Sequence, residues 1–399
     1  MFRWYREGCP RIAQIYGANI HPNITEAELR LAARYDLIVG GINFGDTDES
    51  RRKVNDHIKR LHEMNPRIIV LHYITGACEQ RLDNPRFDRD CFLRTPGGEI
   101  ITGWPGSHML NLSKTKTVEA MAKSIIDSSR GSSADGMYID CMGGNFDTWC
   151  AELQMGKNVE VDADEDGIAD EIAILDRQWV DGKEQILKLI RDEVGVEPYI
   201  LVNGGMEHKY AKPYADGNLF EGILDHVSIP NLYSKYSFEQ ILEDCHLWSD
   251  TPTGRRNCSY IDITPKFDID FNIRDTLSPI ENSRILLKGY ESLQLMRFGL
   301  AMTLLTDIHY TFQLHTRALG QYWWYQEYDL PIGNPSGDCY KHEDGSWRRD
   351  YENAVVVANL NYHEIEPHFE SNMRDSTSSQ ISKDFLLSAQ DGRIYMRMG

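Results

Sequence analysis

The sequence predicts an α/β chain folded as a (β/α)8 TIM barrel with a small antiparallel β-rich C-terminal appendage. Three observations predict it. Eight short runs rich in β-branched and aromatic residues alternate with amphipathic stretches, and such alternation forces parallel strands joined by right-handed crossovers. The chain has 399 residues, room for one dominant core and a satellite, because single cores stop growing near ~250–300 residues. After the eighth run the texture changes to an aromatic, Gly/Pro-punctuated loop and short turn-bounded runs, the pattern of antiparallel strands.

In order, the strand runs fall at 11–18, 36–42, 67–74, 136–141, 198–203, 218–224, 257–263 and 307–312. Helical patterns lie between them at 25–34, 48–64, 115–129, 180–194, 237–247 and 290–305, the first opened by a capping box of Thr25 and Glu28. The connections around the fourth strand are long, which a barrel accepts because its strand-to-helix loops carry function. Residues 1–320 are therefore expected to form the barrel and 321–399 the extension. Within that extension, 321–350 reads as an aromatic loop, 352–360, 365–369, 384–387 and 393–398 as strands, and the Ser-rich 375–382 as a turn.

Bulk properties exclude several classes of function. Hydrophobic residues make up 41% and charged residues 26%, ordinary for a globular chain, and no apolar run approaches the ~20 residues that span a bilayer; no membrane is expected as a partner. A net charge of −19 repels a phosphate backbone, so no nucleic acid is expected either. The amino terminus lacks an apolar run of signal-peptide length, an expectation that fits either a cytoplasmic protein or a processed secreted one. Eight cysteines occur with no CxxC or CxxH, against structural zinc. Cys78/Cys91, Cys141/Cys150 and Cys245/Cys258 have spacings open to loop disulfides, with buried thiols as the alternative. Dinucleotide, phosphate-loop, serine-elbow and zincin motifs are absent from the sequence, so no organic cofactor is expected.

In a barrel, polar residues at the carboxyl ends of strands face the site, and those at the opposite rim serve stability. The fourth run reads Gly-Met-Tyr-Ile-Asp-Cys-Met-Gly-Gly, which sets Asp140 at a strand tip after apolar residues and before the flexible Gly143-Gly144; the sixth reads Asn-Leu-Phe-Glu-Gly-Ile and sets Glu221 near its end. An acid in an apolar strand needs a reason, and two carboxylates across a barrel mouth suit glycosidic cleavage, one attacking and the other exchanging a proton. Asp262 and Asp307 are rivals for proton donor. His72, Tyr73, Trp104, Asn111, Asn203, Asp262 and Trp324 are the expected contacts to a saccharide, with aromatic rings stacking on sugar faces. A metal-dependent hydrolase would want clustered histidines, for which His72 and His309 are thin support, and a sugar-binding barrel without catalysis is the other alternative.

Between the fourth and fifth runs, Asp162-Ala-Asp164-Glu-Asp166-Gly167-Ile168-Ala-Asp170 has the rhythm of a Ca2+ loop: side-chain oxygens at positions 1, 3, 5 and 9, a backbone carbonyl at Ile168 and Gly at the turn. Ala173 stands where a bidentate Glu is expected. A structural calcium is the functional reading, a solvated acidic turn the plain one.

The sequence resembles hypothetical glycosyl hydrolase family fifteen, in the α-galactosidase-like barrel group. The resemblance rests on Met109-Leu-Asn111-Leu-Ser113, Asp135-Gly-Met-Tyr-Ile-Asp140, the 162–170 loop, Leu201-Val-Asn203-Gly-Gly205, Phe220-Glu221-Gly222, Glu327-Tyr-Asp329-Leu-Pro-Ile-Gly333 and Trp347-Arg348-Arg349-Asp350. It implies a TIM barrel with an Asp nucleophile on the fourth strand and an acid/base carboxylate on the sixth, roles that fall on Asp140 and Glu221. The expected activity is that of a retaining glycosidase on an oligo- or polysaccharide. Sugar, linkage and oligomeric state are not legible.

Overall fold

The computed structural model describes residues 8–15, 20–45, 47–74, 79–103, 106–144, 159–206, 209–224, 236–248, 250–263, 293–313 and 322–398. In chain order come β1 (Ala13–Ile15), α1 (Glu26–Ala32), β2 (Leu37–Val39), α2 (Asp48–Met64), β3 (Ile69–Ile74), the hairpin β4 (Glu79–Gln80) and β5 (His108–Met109), α3 (Thr115–Ser129), β6 (Gly136–Ile139), α4 (Ile172–Val194), β7 (Tyr199–Val202) and β8 (Gly217–Glu221). There follow α5 (Phe238–His246), β9 (Tyr260–Ile263), α6 (Leu293–Leu304), β10 (His309–Phe312), and then β11 (Tyr340–Lys341), β12 (Trp347–Asp350), β13 (Ala354–Asn359), β14 (His368–Asp375), β15 (Ile381–Asp384) and β16 (Asp391–Arg397).

Eight strands form one sheet in the order β1-β2-β3-β6-β7-β8-β9-β10, and a parallel bridge from Ile12 to Tyr310 joins the first strand to the last. This is the (β/α)8 barrel. The antiparallel appendage is a six-stranded sheet ordered β11-β12-β13-β16-β14-β15. By packing, the chain divides into two compact units, one comprising Met1–Val70, Phe220–Asp250 and Asn257–Gly399, the other Leu71–Leu219 and Thr251–Arg256.

In the second unit β3, β6, β7 and β8 are parallel neighbours. β6 and β7 are buried at every residue, as parallel strands covered on both faces must be. Gly136 is required where β6 meets β7, since a Cβ there would lie 2.1 Å from the Tyr199 carbonyl oxygen. Helices α3 and α4 pack together, and Gly182 lets α4 approach Leu112, whose carbonyl oxygen would stand 2.6 Å from a Cβ at 182. α4 begins at Ile172 rather than near 180, because Leu175 and Trp179 already continue its buried stripe.

In the first unit the two capping boxes, Thr25 with Glu28 and Ser237 with Gln240, start α1 and α5. α6 is apolar nearly all round because it is covered on two sides. Gly299 packs on Ile263 and Tyr310, while Ala301 and the Arg297 carbonyl pack on Gly392 of β16. The extension holds more strand than its sequence suggested. The expected loop 321–350 contains β11 and β12, whose arginines Arg348 and Arg349 are buried because Asp344 and Asp307 pair with them. The strand expected at 365–369 runs instead as β14, and the one at 384–387 as β15, closing the Ser-rich turn. Cys91 and Cys245 are buried free thiols, so Cys245/Cys258 is not a disulfide; Cys78 and Cys150 lie outside the described residues. Among the described residues no helix is long and apolar enough to cross a membrane.

Candidate active site

Register builds the constellation around Asp140. Tyr73 of β3 pairs with Tyr138 of β6, which pairs with Leu201 of β7. Paired residues of parallel strands share a sheet face, and so do residues two apart. Tyr73, Tyr138, Asp140 and Asn203 therefore converge, one step past the strand ends. The Tyr73 hydroxyl donates to Asp140 Oδ2 at 3.0 Å. Oδ1 accepts from Asn203 Nδ2 at 2.9 Å, from the Cys141 backbone N–H at 2.9 Å, and at a longer 3.4 Å from the Tyr138 hydroxyl. Every partner is a neutral donor, and no cation pairs with Asp140 among the described residues. Asp140 is only partly buried. Its carboxyl group is thus held in place by donors to both oxygens.

Glu221, in the other compact unit, ends β8 with its side chain exposed. The next residue, Gly222, has φ +62°, and its N–H donates to the Asp262 carbonyl oxygen at 3.0 Å. Among the described residues nothing but its chain neighbours lies within 4 Å of where a Cβ at 222 would stand. Asp262 itself is 6% exposed on β9, opposite Thr311 of β10. Its neighbours Ile261 and Ile263 stand on the other face, where Ile263 meets Gly299 of α6.

The other expected contacts stand in these surroundings. His72 alternates with Tyr73 along β3, so its side chain stands on the opposite sheet face from Asp140. Asn111 is fully buried; its amide donates to the Ala163 carbonyl at 2.7 Å, and its oxygen accepts from Ser113, which ties the acidic loop down. Trp324 lies under the Arg34 guanidinium at 3.8 Å, donates its indole N–H to Asp329 at 2.8 Å and meets Tyr35 and Tyr328 edge-on. Trp104 lies outside the described residues. Asp307 precedes β10, at the strand's amino end, the rim away from the strand tips, and accepts from Arg11 and Arg349. His309 is fully buried with Nδ1 at 3.1 Å from the Ser259 carbonyl oxygen, which leaves the metal-dependent alternative without a histidine cluster among the described residues.

The carboxylates of Asp162, Asp164 and Asp166 come within 4.8 Å of one another. Asp162 is buried and accepts the Asp166 and Gly167 N–H groups, while Asp170 turns to the Ala163 N–H at 2.6 Å. The Asp166 N–H draws the Asp164 carboxyl down, but burial and the charges of Asp166 and Asp170 outweigh it and leave that carboxyl above its ordinary value. Crowded like charges of this kind are relieved by a cation. The loop offers up to four carboxylates but no twelfth-position Glu, and Ile168 is exposed.

Tyr138 and the Cys141 N–H were missed in the sequence reading. The first was findable, since a residue two before a strand-end acid shares its face; the second depends on a backbone turn with no residue signature.

The fold is a parallel (β/α)8 barrel, and the family match gives the class, that of a glycoside hydrolase. The chain belongs to hypothetical glycosyl hydrolase family 15, whose description matches residues 62–355, and carbohydrate is accordingly its class of substrate. Among solved structures, the fold is similar to that of the α-amylase GTA from Geobacillus thermoleovorans, complexed with acarbose, at TM-score 0.51 and 11% identity over 99% of this chain and 100% of the other. It is equally similar to that of the noncanonic maltogenic α-amylase AmyB from Thermotoga neapolitana, at TM-score 0.51 and 10% identity over 97% and 98%. At such identities the likeness shows the fold alone. No curated protein matches the chain.

Proposed function

We propose that the protein is a retaining glycosidase that cleaves O-glycosidic bonds in an oligo- or polysaccharide, with Asp140 as nucleophile and Glu221 as acid/base. The observation that carries this reading is the setting of Asp140, which among the described residues is all donors and no cation. Oδ1 already accepts three donors and Oδ2 one, so Oδ2 keeps the lone pairs for attack. It bonds to the anomeric carbon as the glycosidic C–O bond breaks, and Glu221 gives its proton to the departing oxygen. Water then attacks the same carbon, Glu221 takes the water's proton, and the ester to Asp140 breaks. Retention requires the two carboxyl groups to stand ~5–5.5 Å apart, inversion ~6.5–9.5 Å. Tyr73, Asn203 and Asp262 remain the strand-end groups for sugar hydroxyls, and Trp104 the candidate stacking ring.

The test is a panel of oligosaccharides with product anomers followed by NMR. Net retention is expected, and Asp140→Asn should cut kcat/KM by at least ~10³-fold while circular dichroism stays native. Sugar binding without turnover by the wild type would sink the enzymatic reading.

The 162–170 loop is proposed to hold a structural Ca2+ through Asp162, Asp164, Asp166, the Ile168 carbonyl and Asp170. Chelation should then lower Tm, and an ion at ~100 times its Kd would restore about 2.7 kcal/mol. A Tm indifferent to chelator and to added calcium would remove the ion.

A further inference from the structure

Helix α4 carries a basic residue where its pattern calls for an apolar one. The buried stripe runs Leu175, Trp179, Gly182, Lys183, Ile186, Leu187 and Ile190, and Lys183 is 0% exposed. A buried ammonium carries a large desolvation cost, so its placement demands a return. Gly182 draws the helix in against Leu112, and from there Lys183 Nζ donates to the Gly143 carbonyl oxygen at 2.7 Å. Gly143 is the third residue past Asp140. Of the two residues between, Met142 is pinned at both ends: its N–H donates to the Asn203 carbonyl at 2.8 Å, and its carbonyl accepts the Tyr210 hydroxyl at 2.6 Å.

The residue this clamp holds is Cys141, with φ +54°. A side chain with a Cβ enters the left-handed region only where its surroundings over-determine it. The turn has a use, because it aims the Cys141 N–H at Asp140 Oδ1. Asn203 closes the circuit by donating its side chain to the same oxygen while its carbonyl holds Met142.

We propose that Lys183 and Tyr210 are positioning residues for Asp140, clamping the Gly143 and Met142 carbonyls so that the left-handed turn at Cys141 keeps its N–H on the carboxylate. Neither touches a substrate; both act through the backbone that follows the nucleophile. The inference rests on the reading of Asp140 as nucleophile.

Full-length Tyr210→Phe and Lys183→Met are compared with wild type by amide exchange of the peptide spanning 138–144 and by kcat and KM on a glycan the wild type cleaves. Faster exchange at 141–144 is expected, with kcat lower by ~10-fold, as for loss of one hydrogen bond to a charged group, and KM within ~2-fold. A merely structural role would lower Tm and leave the kcat of the folded enzyme and the exchange at 141–144 in place, which overturns the proposal. Should Lys183→Met not fold, Tyr210→Phe, which removes one oxygen and keeps the ring, decides alone. If the wild type cleaves no glycan yet Tyr210→Phe still speeds exchange at 141–144, the clamp stands and the nucleophile reading falls. Exchange and kcat like wild type in the folded variants would overturn the clamp itself.

Discussion

Asp140 and Asp216 belong to the same compact unit and lie at opposite strand ends, and the structure treats them in opposite ways. Asp216, just before β8, has a side-chain exposure of 0% and is neutralised by Arg191 at 2.8 Å, with the Ile200 N–H at 3.0 Å and the Thr253 hydroxyl completing its shell. Arg191 in turn caps the Tyr214, Gly195 and Pro198 carbonyls. Asp140, just after β6, is partly exposed and, among the described residues, receives neutral donors only. The first unit repeats the amino-end pattern with Asp307, held by Arg11 and Arg349. Asp216 and Asp307, at amino ends, pair with arginines, whereas Asp140, at a carboxyl end, pairs with none among the described residues; in barrels the amino rim serves stability and the carboxyl rim carries the site.

The sharpest way to break this contrast is Asp216→Asn, which strands Arg191 in a largely buried setting. Losing one member of a buried pair costs about 3–5 kcal/mol, read as a lower urea midpoint, while kcat of the folded fraction stays at the wild-type value. A stable variant with impaired turnover would invert the roles assigned here. A smaller effect is expected of Tyr73→Phe, which removes the donor to Oδ2. It should cost about 1.4 kcal/mol of transition-state stabilisation, or ~10-fold in kcat, with little change in Tm; unchanged kcat would mean that Asp140 does not depend on its donors.

The smallest effect concerns His246 of α5, whose Nε2 lies 3.2 Å from Cys339 Sγ. Burial, and then the Arg349 charge, hold this imidazole below its ordinary value near 6.5, while burial pushes the Cys339 thiol up, so the pair is neutral. Because the unfolded chain binds the proton more readily, stability is full above pH 6.5 and declines as pH falls through the lowered folded value. His246→Gln should therefore shrink the loss of Tm between pH 7.5 and pH 5, measured by calorimetry, and an identical slope would detach His246 from the acid response.

Parts of the site were legible for definite reasons. Asp140 stood out because a charged residue in an apolar strand is costly, and Tyr73 and Asn203 because they end neighbouring strands. Lys183 was equally visible, a cation on the apolar stripe of α4, yet its meaning depends on Gly143 lying beneath it. Asn111 and Trp324 looked like sugar contacts because loops rich in such residues bind sugars. Their actual partners, Ala163 and the Arg34–Asp329 pair, come from distant parts of the chain.

The sequence by itself determined the eight-strand alternation, the barrel that follows from it and the acids at strand tips, because hydrophobic period and turn residues act locally. Tertiary structure alone decided which acids are cancelled by arginine, which face His72 occupies relative to Asp140, and how the Cys141 turn is held. Those outcomes depend on register and on partners far away in the chain, and a local pattern of side chains carries no record of either.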